Sequence, residues 1–313
     1  MRAFRTSIAC RRLVGALFCI VSLAAVAQTP AKEGHTLVTG SNSESKPAPA
    51  ELAALESELR HDLKLHPNSA EKLYQLGLVL RQENKAKESL ETYTRAAHLQ
   101  TPNATQLRSV ALDYVLLDDY KDAIHWLEYA ASLDPRNTDV LYSLGRCYYS
   151  ESRYNDAEAM FLRVLEINPS HLKAEENLGL IYDFANQSAK AEAALRKAAE
   201  LAGQESTDEW PFLDLGGFLL DHDRAAEAVK FLQRSAAIAP RCVDCHAKLG
   251  RALVATGDPN RGVKELETAA QLDPKNPKMH FELGHAYRAA GNAEKSRAEF
   301  ALSQSLYGQH SQD

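Results

Sequence analysis

Residues 138–171 read TDVLYSLGRCYYSESRYNDAEAMFLRVLEINPSH. Leu141, Leu144, Gly145 and Tyr148 stand at i, i+3, i+4 and i+7, one face of a helix. Ala157, Phe161 and Val164 mark the same kind of face on a second helix. Pro169 then closes the segment, because proline cannot continue a helix and holds the residue before it extended. The spacing therefore predicts two helices joined by a short turn. Such a pair leaves one apolar face open and needs a neighbour.

The neighbours are in the sequence. The same 34-residue register recurs at 70–103, 104–137, 138–171, 172–205, 209–242, 243–276 and 277–310. Its one interruption is Ser206-Thr207-Asp208. The eighth position is Gly77, Ala111, Gly145, Gly179, Gly216, Gly250 and Gly284; the twentieth is Ser89, Ala123, Ala157, Ala191, Ala228, Gly262 and Ser296. Small residues at both places let paired helices approach closely, and large residues at positions 11 and 24 fill the space beside them. Units of this kind complete a core only by stacking. Position 4 departs from apolar character at Glu175, His246 and His280, which predicts looser packing at those edges.

These residues resemble the tetratricopeptide repeat family, whose small and aromatic positions fall at the same offsets. The resemblance covers residues 70–310. It implies an all-α fold: a right-handed superhelical solenoid of about seven helix-turn-helix units plus an N-terminal half-repeat helix. That capping helix is expected within 51–69, where Leu52, Leu55, Leu59 and Leu63 are in phase with the repeats.

The 313 residues are ordinary for a globular chain, 45% hydrophobic and 25% charged, which excludes collagen-like and fully disordered classes. Residues 1–27 carry four Arg and no acid, then a 15-residue apolar run ending Ala25-Val26-Ala27. This is the pattern of a secretory signal peptide cleaved before Gln28, and it predicts a secreted or periplasmic protein with no stable membrane span after cleavage. A retained anchor is the alternative. Residues 28–50, rich in Ser, Gly, Pro and Ala, read as a flexible linker. The remainder holds 32 basic and 42 acidic residues, a net of −10 that argues against a nucleic-acid partner.

In the family, first helices line a concave groove that binds peptides or protein segments, so the resemblance implies a protein or peptide partner and no catalysis. The expected groove residues are Tyr74, Arg81, Arg108, Tyr142, Arg146, Tyr149, Phe184, Arg251, Phe281 and Arg288, with Asp183, Trp210, Leu213 and His285 beside them. Aromatic and Arg side chains commonly anchor interfaces. Tyr and Arg simply tolerated on half-exposed helix faces is the plainer reading. Four of the Arg, against Asp183 alone, suggest a groove more basic than the body. No G-x-S-x-G, H-E-x-x-H or phosphate-cradling Gly loop is present, so no enzyme, metal or cofactor is expected. One motif stands apart: Cys242-Val243-Asp244-Cys245-His246. It reads as a local disulfide between Cys242 and Cys245, as free thiols, or as a haem c or zinc site, His246 completing the C-x-x-C-H pattern of haem attachment. Cys147 reads as a small buried hydrophobe.

Overall fold

The computed structural model describes residues 47–310. The expected leader at 1–27 and residues 28–46 of the expected linker lie outside them. Among the described residues the fold is all-α, fifteen helices without a strand, a helical repeat solenoid. The chain divides into two compact units, at 169/170. The first contains α1 (Pro49–Leu65), α2 (Ala70–Gln82), α3 (Ala86–Leu99), α4 (Ala104–Leu116), α5 (Tyr120–Leu133), α6 (Thr138–Ser150) and α7 (Tyr154–Ile167). The second contains α8 (Leu172–Phe184), α9 (Ser188–Ala202), α10 (Trp210–Asp221), α11 (Ala225–Ile238), α12 (Val243–Ala255), α13 (Pro259–Leu272), α14 (Pro277–Ala289) and α15 (Ala293–His310).

Within each unit the first helix of a repeat packs on its own second helix, on the preceding second helix and on the next first helix. First helices thus touch one another, α2 with α4 and α4 with α6 in the first unit, α8, α10, α12 and α14 successively in the second. The small residues explain the closeness. A β-carbon built on Gly145 would lie 2.8 Å from Phe161, and one on Gly179 or Gly216 would lie 2.6 Å from Leu195 or Leu232. Where position 20 is serine, its hydroxyl donates to the glycine carbonyl opposite: Ser89 to Gly77 at 2.7 Å and Ser296 to Gly284 at 2.8 Å.

Helix boundaries follow from local chemistry. Helices α5, α7, α11 and α13 end two residues before Pro135, Pro169, Pro240 and Pro274. Ser69, Asn103, Asn137 and Asn276 accept a backbone N–H of the first turn that follows them. Helix α9 lacks such a proline and stops instead at Gly203, with φ +67°. The turn inside each repeat uses the left-handed region at the fifteenth position: Asn84, Asp118, Ser152, Asn186, Asp223, Gly257 and Gly291 all have φ between 56° and 85°. Asn, Asp and Gly tolerate that region, and serine does so poorly. Replacing exposed Ser152 (φ +60°) with glycine should therefore raise the denaturant midpoint, by about 0.5–1 kcal/mol of stability. An unchanged midpoint would show that the strain is relieved elsewhere.

Three details differ from the sequence reading. Helix α1 begins at Pro49 and buries Leu52, Leu59 and Leu63, but Leu55 is 44% exposed. His246 and His280 do not loosen their repeats: each ring fills the space between helices while hydrogen bonding at both nitrogens. His246 meets Glu265 (2.7 Å) and the Pro240 carbonyl (3.2 Å); His280 meets Glu299 (2.8 Å) and the Pro274 carbonyl (2.9 Å). The interrupting Asp208 is structural, since its carboxylate pairs with Lys173 at 2.7 Å. No helix among the described residues is long and apolar enough to cross a membrane.

Candidate functional site

The candidate binding surface is the side of the first helices that does not face the second helices. In the first unit this surface is rich in arginine. Arg81 near the end of α2, Arg108 in α4 and Arg146 in α6 sit half-buried in three successive repeats. Arg108 reaches across to α6, donating from Nε to Ser143 Oγ at 2.9 Å. Burial, and then the charges of Arg81 and Arg146, pull the Arg108 pKa below its ordinary value, with Asp139 opposing them. Three like charges are therefore held within reach of one another. Arg146 also lies 6.0 Å from the Tyr142 ring centroid, and half-buried Tyr149 stands edge-on to Tyr154.

Beneath this cluster lies an acid that the sequence reading passed over. Asp113 is fully buried, accepts no hydrogen bond on Oδ1, and lies 2.6 Å from the Ser89 hydroxyl through Oδ2. That hydroxyl has one proton and already faces the Gly77 carbonyl. Burial pushes the Asp113 carboxyl up to about 7, and neither Ser89 nor the Arg81 charge offsets it. Near neutrality the group is thus in part a neutral acid, which weakens its ability to balance the arginines.

The second unit is different. Its inner positions hold buried acids, Glu176 in α8 and Asp214 in α10, and the half-buried Glu282 in α14. Burial raises the pKa of each, and the Glu176 charge raises Asp214 further. Lys173 stands 3.0 Å from Glu176, and Lys248 lies so close to Gly217 that a β-carbon there would meet its Nζ at 2.7 Å. Arg251 is exposed and sits 3.5 Å from Asp221. Basic character is accordingly a property of the first unit and does not extend through the second. The missed acids fall at positions 5, 6 and 10, flanking the apolar stripe, where a single helix read alone gives no sign of their burial.

The remaining expected groove residues divide by burial. Tyr74 and Tyr142 are core residues at 6% and 8% exposure: Tyr74 packs on Tyr93 and donates to the Gln100 carbonyl, and Tyr142 packs on Phe161. Leu213 is buried as well. Both tyrosines pack on the second helix of their own repeat, so these side chains shape the surface from below and do not present themselves to a partner. Phe184, at 66%, is exposed. Phe281, His285 and Arg288 form an open shelf with Phe300 and Tyr307 at α14 and α15, where Phe281 is 49% exposed. Arg288 donates to His285 at 2.8 Å there. Asp183 and Trp210 are half-buried.

Cys242 and Cys245 are joined by a disulfide, and Cys147 is a free, buried thiol whose pKa burial pushes up to about 12. The residues do not fit haem c. Both sulfurs are consumed by the bridge, Cys245 has no exposed surface, and both His246 nitrogens already have partners. Among the described residues, no three His, Cys, Asp or Glu side chains converge as metal ligands.

Three family models described as the tetratricopeptide repeat match residues 115–175, 176–205 and 247–310. The chain is a tetratricopeptide repeat protein. Curated relatives of this tetratricopeptide protein include mouse "BBSome complex member BBS4", 28% identical over 134 residues, 43% of this chain and 26% of that one. Another is Schizosaccharomyces pombe "Anaphase-promoting complex subunit 3", 24% identical over 62% of this chain and 29% of that one. The chain thus spans between a quarter and a third of these relatives' length. Among solved structures, Pseudomonas aeruginosa PilF superposes with a TM-score of 0.61 at 19% identity, covering 71% of this chain and 97% of that one. PilW, described as a type IV pilus biogenesis factor, gives 0.58 at 20% identity, covering 66% and 94%. These likenesses show the shared fold.

Proposed function

We propose that this tetratricopeptide protein is a non-catalytic scaffold that binds an acidic peptide or protein segment on the first-helix face of its first unit. The observation that carries the reading is the row Arg81, Arg108 and Arg146, in three consecutive repeats and set over an acid that burial drives toward its neutral form. Burying like charges together costs free energy that an anionic ligand would recover. Arginine forks suit carboxylates in particular, because two N–H groups address both oxygens. The repeat family's general role in protein interaction supports the same reading. The setting we propose is secreted or periplasmic, and its support is the sequence of residues 1–27.

Selection from a display library of random peptides on the chain from residue 47 onward tests this directly. Enrichment of sequences with two or more Asp or Glu is the expected result. Enrichment of basic or purely apolar sequences would reject the acidic-segment reading, and turnover of a substrate mapped to the repeats would reject the scaffold reading.

A further inference from the structure

The Cys242–Cys245 bridge plays no part in that reading, and its placement is unlike that of a structural staple. A bridge closing over two intervening residues constrains the unfolded chain little, so it contributes little to stability. Cys242 is the N-cap of α12, and its Sγ accepts the backbone N–H of Cys245 at 3.1 Å. A thiolate formed there is stabilised by that N–H and by the positive end of the helix. The two sulfurs are also unequal. Cys242 is half-buried and open to approach, whereas Cys245 has no exposed surface. Behind Cys245 the buried Ser235 of α11 donates its hydroxyl to Sγ at 3.1 Å.

We propose that Cys242 and Cys245 form a thiol–disulfide exchange site that oxidises a peptide or protein dithiol. A substrate thiolate attacks Cys242 Sγ; the Cys242–Cys245 bond breaks, and its electron pair leaves on Cys245 Sγ. Ser235 Oγ is placed to hydrogen bond that departing thiolate, which then takes up a proton. The second substrate thiolate attacks its own sulfur in the mixed disulfide. A substrate disulfide leaves, and Cys242 remains as a thiolate under the Cys245 N–H. The substrate loses two electrons and two protons in all: the bridge takes both electrons, Cys245 takes one proton, and the other goes to solvent while Cys242 stays ionised. The first attack falls on Cys242 because Cys245 is covered. Arg241, exposed, precedes the site and Asp244 lies within it, the latter's charge acting on Glu282 of α14.

The test mixes the oxidised chain with a reduced two-cysteine peptide at neutral pH, quenches with N-ethylmaleimide and follows each cysteine by peptide-resolved mass spectrometry. Peptide-level readout separates Cys147 from the pair. In the folded chain the bridge should open at least tenfold faster than in the same chain unfolded in guanidinium. With Cys245→Ser the peptide should remain attached to Cys242, and with Ser235→Ala opening should slow several-fold at unchanged helicity. A folded bridge that opens no faster than the unfolded one, or an adduct on Cys245, would overturn the proposal. An unchanged rate in Ser235→Ala would overturn the role given to that hydroxyl. Peptide selection on the arginine face is independent of these outcomes.

Discussion

Asparagine in place of Asp113 should stabilise the first unit at pH 8 by about 2–3 kcal/mol and flatten its dependence on pH. The folded-state pKa of Asp113 is about 7, raised by burial, against an ordinary aspartate value of 3.8. Between those values the folded chain binds the proton and the unfolded chain does not. Stability from this group is therefore full below about pH 4 and is lost as pH rises through 7. Glu176, Asp214 and Glu282 shift in the same direction for the same cause. Glu56 moves the opposite way, to about 2 under Lys85 and Arg60, but that contribution is lost only as pH falls below the carboxylate range. His285, lowered by burial, opposes the trend near its own titration. Denaturant unfolding at pH 5 and pH 8 should thus find the wild-type chain more stable at pH 5, and Asp113→Asn should narrow the gap. A wild-type chain more stable at pH 8, or a destabilised asparagine variant, would contradict the buried neutral acid.

Alanine at Gly250 should cost about 2–3 kcal/mol, the upper end for overpacking by a single methyl group. Position 8 holds alanine in the second repeat, where Ala111 is fully buried. The sixth repeat differs because glycine also stands at position 20. Helices α12 and α13 approach until a β-carbon on Gly250 would lie 2.9 Å from the Gly262 carbonyl oxygen as well as 2.6 Å from Leu266. Leu266 can change rotamer; the carbonyl cannot move without shifting its helix. Gly257→Ala is the comparison, with open space around it but φ +85°, and should cost about 1 kcal/mol. Equal losses in the two variants would show that α12 and α13 can separate at little cost.

The repeats were legible because each rule is local. Glycine at position 8, a large residue at 24 and proline at 32 declare helix faces and helix ends without any knowledge of the neighbours. The turn signal at position 15 was equally available, since six of its seven residues, all but Ser152, are Asn, Asp or Gly, yet it adds nothing to the period. The site was harder to read. Tyr74 and Tyr142 look like surface anchors in one helix and become core residues when the second helix of their repeat packs on them. Asp113 and Asp214 look like solvated acids until the stack removes their water. Burial in a solenoid is contributed by other helices of the stack, so a rule that reads one helix at a time misassigns positions 5, 6 and 10. The chemistry of Cys242 and Cys245 was left open in the sequence for a related reason. Their inequality depends on α11, from which Ser235 covers Cys245.

The central claim is that arginines of the first unit receive an acidic segment. Its most direct measurement is the affinity of a display-selected peptide for the chain and for Arg81→Gln with Arg146→Gln, across a range of salt. Both substituted side chains are half-buried at the surface and lie outside the apolar core. The account predicts at least a tenfold loss of affinity in the double variant, with helicity kept and a shallower salt dependence than wild type. Affinity and salt dependence equal to wild type would contradict it.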